Sequence, residues 1–110
     1  MTDAQPAASG RTTEARARLF KALGDPNRVR IVELLGPRGE TSGSDIAEAV
    51  GMSLALLSHH LKILADAGVI HTRKEGQTRY VRLNEGAIIC ACRDLTGGPP
   101  PPPDPGATAG

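Results

Sequence analysis

The chain has 110 residues, with 13 Lys and Arg against 12 Asp and Glu, so its formal net charge is only +1. This length is typical of a single domain, and so balanced a charge does not by itself indicate a nucleic-acid partner. One Phe, one Tyr and no Trp leave a core built from aliphatic side chains. No apolar run approaches the ~20 residues that span a bilayer, and no signal-peptide pattern begins the chain, so we expect a cytoplasmic protein with no membrane partner.

The cysteines and the two ends of the chain limit its organisation further. Cys90 and Cys92 are too few and too close for a disulfide framework, so we expect reduced thiols. Residues 1–12 are small and polar, and residues 96–110 are rich in Pro and Gly. Because neither end can bury enough apolar area to order itself, we expect a flexible arm, a folded domain over residues 13–95, and a disordered tail.

Helix signals mark the first part of this domain. Thr12 or Thr13 can cap a first helix. Asp25 is a suitable N-cap for a second helix, because the proline that follows it lacks the N–H that would be unpaired at that position. The second helix is predicted to end at Leu35, where Gly36-Pro37 stops it.

Two further helices follow in close succession. Ser42 or Ser44 opens a short third helix that Gly51 closes, and Ser53 caps a fourth helix that ends at Gly68. Two short helices joined by a tight glycine turn form a helix-turn-helix motif, whose second helix can lie in the major groove of DNA. The fourth helix is therefore the predicted reading helix.

The reading helix carries two adjacent histidines, His59 and His60. Neighbouring side chains on a helix do not face each other, so this pair cannot comfortably hold one metal ion. With the leucines at 57, 61 and 64 buried, His59 points outward and can donate to phosphates or base edges. His60 lies beside the buried stripe, so we expect it to pack and hydrogen-bond within the domain.

A β-hairpin is predicted after Gly68. The segments VIHTRK (69–74) and TRYVRL (78–83) are β-branched or alternating, and Gly76 lies at the turn between them. Residues 71–82 hold four cations against the single acid Glu75, although such a hairpin can also be a plain solvated surface. A helix-turn-helix followed by a basic hairpin predicts a mainly helical winged helix-turn-helix fold, in which the hairpin is the wing.

Three blocks of sequence resemble the ArsR/SmtB (arsenic-repressor) family of small bacterial transcription regulators. They are LFKALGDPNRVRIVELL (19–35), SHHLKILADAGVI (58–70) and RKEGQTRYVRL (73–83), and the likeness covers roughly residues 13–95. The resemblance implies a homodimer that binds a palindromic operator on double-stranded DNA and leaves it when an inducer binds. We therefore expect a sequence-specific transcriptional regulator that acts as a repressor.

The DNA contacts are expected on the reading helix and the wing. The family usually has polar residues where this reading helix begins with Leu54, Ala55 and Leu56. An apolar side chain can still contact a thymine methyl group, and readout of DNA shape by the wing can add specificity. The predicted DNA-binding residues are Ser53, Ala55, Leu56, Ser58, His59, Lys62, Arg73, Lys74, Arg79 and Arg82.

The resemblance also implies an inducer, most often a transition-metal ion. The third helix lacks the cysteines of arsenic and cadmium sensors, and Ala87 stands where a histidine is expected on the last helix. We predict a weak nickel or zinc site drawing on Cys90, Cys92 and Glu85, in which the two thiols require a site shared between subunits because a helix points them ~200° apart. The alternative is that both cysteines are small core residues at the dimer interface.

A two-fold dimer is needed to span two operator half-sites. The first helix and residues 84–95 are the elements left to form it. The predicted interface residues are Leu19, Ile88, Ile89 and Leu95.

Two other classes of protein agree less well with the sequence. An enzyme is not expected, because the sequence has neither a phosphate-binding glycine loop nor the histidine pair of a zinc hydrolase. The stronger alternative is a protein-interaction or co-regulator module that needs a partner regulatory protein for sensing, with the proline-rich tail as a binding segment.

Overall fold

The structure is a computed structural model that describes residues 12–98. The predicted arm (1–12) and tail (96–110) therefore lie almost wholly outside the described residues. Within this range no helix is long and apolar enough to cross a membrane. The elements, in chain order, are α1 (Thr13–Ala22), α2 (Pro26–Arg38), β1 (Thr41–Ser42), α3 (Gly43–Val50), α4 (Leu54–Asp66), β2 (Ile70–Glu75), β3 (Thr78–Leu83) and α5 (Glu85–Thr96).

The first four helices begin where the capping side chains predict. The Ala15 amide donates to Thr12 Oγ1 over 3.0 Å, and the Asn27 amide donates to Asp25 Oδ1 over 2.7 Å. Ser42 caps α3 and Ser53 caps α4 in the same way. Each cap pairs an amide that a helix cannot satisfy internally, which fixes the first turn.

The end of α2 differs from the prediction. The helix continues through Gly36 and Pro37 to Arg38, so the expected stop at Leu35 is wrong. Pro37 removes only one backbone donor in the last turn, where the neighbouring side chains are exposed and water can pair with the freed carbonyl. Gly39 follows the last helical residue and ends the helix, because its φ of 75° lies in the left-handed region.

The predicted hairpin is present, but it belongs to a three-stranded antiparallel sheet. β3 lies between β1 and β2, and Gly76 turns the hairpin with a φ of 63°. The short strand β1 was not predicted. It pairs Thr41 with Val81 and Ser42 with Tyr80, and this pairing ties the wing to the start of α3.

One aliphatic core joins the helices to the sheet. The fully buried side chains are Leu19, Ile31, Leu35, Ile46, Leu57, Leu61, Leu64, Val69 and Val81. α5 packs on α1, with Ala91 fully buried, which places the N-terminal and C-terminal helices side by side. The architecture confirms the predicted winged helix-turn-helix.

Candidate nucleic-acid interface

The outward face of α4 is formed by residues that do not contribute to the core. Leu57, His60, Leu61 and Leu64 are buried, whereas the first turn and the opposite side of the helix are exposed. At ~100° per residue, five exposed side chains share one face of the helix: Leu54, Ala55, Ser58, His59 and Lys62.

Leu54 and Leu56 differ in their position on α4. Both are exposed, to 57% and 43%. Leu56 lies about 160° around the helix from Leu54 and so stands apart from the outward face. The predicted DNA-binding residues include Leu56 but not Leu54. The angles of the two side chains around the helix, which can be read from the sequence, favour Leu54 instead.

A groove of about 250 Å³ separates α4 from the wing. Leu54 and Ser58 line its helical wall, and Lys74 and Arg79 line its wall on the hairpin. Lys74 lies directly opposite Arg79 in the strand register. Neither makes an ion pair within 4 Å anywhere in residues 12–98. Like charges at opposed strand positions repel, so this pair is suited to an anionic ligand.

The other predicted wing contacts lie on the opposite face of the hairpin. Alternation along β3 puts Arg82 on the same face as Tyr80, away from the buried side chain of Val81. Arg73 is opposite Tyr80, and its guanidinium lies 4.6 Å from the centre of that ring. The four wing cations are therefore divided between two faces, with Lys74 and Arg79 toward the reading helix.

Arg73 is also held by two carboxylates. Its Nε and Nη2 donate to Glu40 over 2.8 and 2.9 Å, and its Nη1 donates to Glu75 over 2.8 Å. These bonds raise the pKa of Arg73 and lower the pKa of the Glu40 carboxyl. Glu40 lies 33 residues before Arg73 in the sequence, outside the segment 71–82. Because its carboxylate offsets part of the charge of Arg73, the local excess of positive charge expected from residues 71–82 is smaller in the folded chain.

His60 packs inside the domain, as predicted. It is 5% exposed, and its Nδ1 lies 3.1 Å from Nη1 of Arg28. Because a guanidinium can only donate, Nδ1 accepts and the ring carries its proton on Nε2. Burial lowers the pKa of His60 below its ordinary value of 6.5, and the nearby charges of Arg28 and His59 add to this while Asp25 opposes it.

Arg28 connects α4 to the turn between α1 and α2. Its Nε donates to the carbonyl of Ala22 over 2.6 Å, and its Nη1 lies 3.8 Å from Asp25 Oδ2. Sequence reasoning did not identify Arg28, because 32 residues separate it from His60 and no local pattern connects them. This contact fixes the reading helix against the preceding helices.

The potential metal donors of α5 do not converge within one chain. Cys90 is half-buried, while Cys92 and Glu85 are exposed. Cys90 points ~200° from Cys92, and Glu85 lies about two helical turns from Cys92. Within residues 12–98 no three His, Cys, Asp or Glu side chains are grouped to hold a metal ion. These donors do not fit a tetrahedral zinc site in a single subunit.

Two large apolar side chains on α5 are exposed, about 120° apart around the helix. Ile89 is 49% exposed and Leu95 is 64% exposed, whereas Ile88 is half-buried against the core. Leu19 is only 1% exposed and packs within its own chain. The predicted interface set is corrected on this point, because Leu19 has almost no surface to offer a second subunit.

Comparison with known proteins identifies the fold and its family. The family described as bacterial regulatory protein, arsR family, matches residues 25–72. A cadmium resistance transcriptional regulatory protein CadC homolog from Staphylococcus aureus is 41% identical over 63% of this chain and 57% of its own length. An arsenical resistance operon repressor from Staphylococcus xylosus is 32% identical over 73% of this chain and 90% of its own.

A solved structure agrees with these relatives. The homodimeric winged helix-turn-helix DNA-binding domain of a possible ArsR-family transcriptional regulator from Mycobacterium bovis is 30% identical, with a TM-score of 0.66. The match covers 87% of this chain and 90% of that domain. The resemblance seen in the sequence is therefore confirmed, and the chain belongs to the arsR family of bacterial regulatory proteins, which are DNA-binding transcriptional regulators and not enzymes.

Proposed function

We propose that the chain is a transcriptional repressor that binds a palindromic operator as a homodimer, with α4 in the major groove and the wing beside it. The observation that carries this proposal is the juxtaposition of Lys74 and Arg79 across the groove from Ser58. Two opposed cations without an ion-pair partner in residues 12–98 favour a polyanion, and DNA phosphates supply one.

The two sides of the groove have different roles in this proposal. Ser58, His59 and Lys62 project from α4 and would reach base edges, whereas Lys74 and Arg79 would neutralise phosphates and fix the orientation of the domain. Ser53 and Ala55 begin the reading helix and complete its surface. Leu56, Arg73 and Arg82 do not line this groove, so the proposal gives the two arginines peripheral contacts and gives Leu56, which was predicted to bind DNA, no contact.

The dimer would form through α5. Ile89 and Leu95 expose large apolar surfaces in water, and Ile88 supports them from the core side. A two-fold interface uses the same surface on both subunits, and the exposed apolar side chains of α5 can contribute to one. The homodimeric relative from Mycobacterium bovis supports this arrangement.

Metal responsiveness stays a prediction. The relatives include proteins named for cadmium and arsenical resistance, but the third helix of this chain has no cysteine. Cys90, Cys92 and Glu85 do not converge in one subunit, so nickel or zinc binding would need donors from both subunits and would be weak. A partner regulatory protein that supplies the sensing is the alternative.

Salt dependence of DNA binding tests the proposal. Each phosphate contact contributes about 0.9 to the slope of log affinity against log salt concentration. Arg79→Ala should therefore reduce the slope by about 1.8 for a dimer and weaken binding to all duplexes alike. The matched control is Arg30→Ala, an exposed arginine on α2 that does not line the groove.

Fluorescence anisotropy with labelled duplexes over a range of salt concentrations provides the measurement. An unchanged slope for Arg79→Ala would contradict the assigned phosphate contact. Absence of any salt-sensitive binding would instead favour the protein-interaction module, since only a polyelectrolyte ligand releases counterions in this way.

A further inference from the structure

Leu54 is a large apolar side chain on the part of the molecule that faces DNA in the proposed function. It is 57% exposed in the first turn of α4, and it lines the groove beside Ser58. It makes no contribution to the buried core, so folding does not require leucine at this position. Its place in the wall of the groove, beside cations that have no ion-pair partner in residues 12–98, points to a role in binding.

The charges around Leu54 limit what can occupy this groove. Lys74 and Arg79 form the facing wall, and Lys62 lies two turns further along the same side of α4. An apolar protein surface would have to bury or displace these cations, which is costly. A DNA duplex pairs its phosphates with them instead, so the groove is better matched to DNA than to a protein partner.

The major groove of DNA offers Leu54 one apolar group. Phosphates are charged, and the base edges present hydrogen-bond donors and acceptors except for the C5 methyl group of thymine. We propose that Leu54 is a specificity-determining residue that reads one thymine methyl group in each operator half-site. This inference rests on the proposed function and adds the identity of the base that the helix reads.

The expected contribution is modest and measurable. Removing one methyl-sized apolar group from water stabilises a complex about fourfold, equivalent to ~0.8 kcal/mol. Two half-sites in a palindrome multiply this to about sixteenfold. Ala55 and Leu56 do not line the groove, and Leu56 points to the other flank of the helix.

The experiment begins with the wild-type chain and a library of random duplexes, from which binding sequences are selected. Each thymine of a selected duplex is then replaced by deoxyuridine, which lacks only the methyl group. We expect one thymine position per half-site at which the replacement weakens wild-type binding about fourfold. Leu54→Ala should bind the thymine and uracil duplexes equally, while the matched control Leu56→Ala should keep the wild-type difference.

The possible results separate this inference from the proposed function. Wild-type binding that is equal for every uracil duplex would overturn the role of Leu54 and leave DNA binding intact. The same holds if Leu54→Ala keeps the uracil penalty or if Leu56→Ala abolishes it. Failure to select any duplex, with no salt-sensitive binding, would overturn the proposed function and this inference together. Because Leu54 is exposed, its replacement leaves the fold unaffected, which circular dichroism checks.

Discussion

Replacing Arg28 by alanine tests the contact that anchors the reading helix. The Arg28 side chain is 14% exposed, and it joins His60 on α4 to the carbonyl of Ala22 at the end of α1. The change removes both bonds at once and leaves two buried acceptors without their donor. We therefore expect a large loss of stability for a single substitution at a polar residue.

The size of the effect follows from the hydrogen bonds. A bond from a charged donor contributes about 1.5–3 kcal/mol, and a buried acceptor left without a partner costs about 1–3 kcal/mol. Allowing for partial relaxation of the ring and for water entry, we expect Arg28→Ala to lower the free energy of unfolding by about 3 kcal/mol. Domains of this size are stable by only about 5–15 kcal/mol, so the loss would be a substantial fraction of the total.

Urea denaturation followed by far-ultraviolet circular dichroism measures this loss at a fixed protein concentration, because dimerisation also stabilises the folded chain. Arg30→Ala serves as the control, since Arg30 is exposed on the same helix and its side chain bonds only to Asn27 among residues 12–98. Surface changes of this kind usually stay within about 0.5 kcal/mol. An Arg28→Ala protein as stable as the Arg30→Ala protein would refute the assigned role of the His60 contact.

Three further outcomes are expected. Burial lowers the pKa of His60 below 6.5, so the unfolded chain binds more protons near that pH than the folded chain does. The contribution of His60 to the free energy of unfolding should therefore be constant above about pH 6.5 and fall as the pH is lowered, and urea titrations of His60→Gln should lack this pH-dependent contribution. Glu40→Gln removes a negative charge beside the wing and leaves Arg73 one acceptor oxygen there in place of two, so affinity for any duplex should rise with a steeper salt dependence; weaker binding would contradict this. Ile89→Asp should yield monomers by light scattering with poor operator affinity, and a wild-type chain that is monomeric at micromolar concentration would contradict the α5 interface.

The sequence predicted those parts of the fold that depend on local chemistry. Asp25 and Ser53 cap their helices because a short polar side chain beside a free amide is a local arrangement, readable from neighbouring residues. The hairpin and its turn at Gly76 follow from alternation and backbone freedom in the same way. His60 was placed inside the domain because its angle on the helix adjoins the leucine stripe.

The parts that the sequence could not show depend on contacts between distant residues. β1 has only two residues, too few for any alternating pattern, and it forms because β3 offers a free edge. The pairing of Arg73 with Glu40 joins positions 33 residues apart, so counting charges within the wing overestimated its positive charge. Leu19 was assigned to a dimer interface because an amphipathic pattern does not distinguish packing within a chain from packing between chains.

The two-residue strand β1 has a mechanical consequence. Ser42 pairs through its backbone with Tyr80 of the wing, while its side chain accepts from the Asp45 amide and starts α3. The same residue thus joins the wing to the first helix of the helix-turn-helix, which couples the orientation of the wing to that of α3. Each subunit would therefore present the wing and the helix-turn-helix to DNA as one unit. In the proposed dimer, a signal acting at α5 would change the distance between the two subunits' DNA-binding surfaces, and operators with altered half-site spacing would detect such a change.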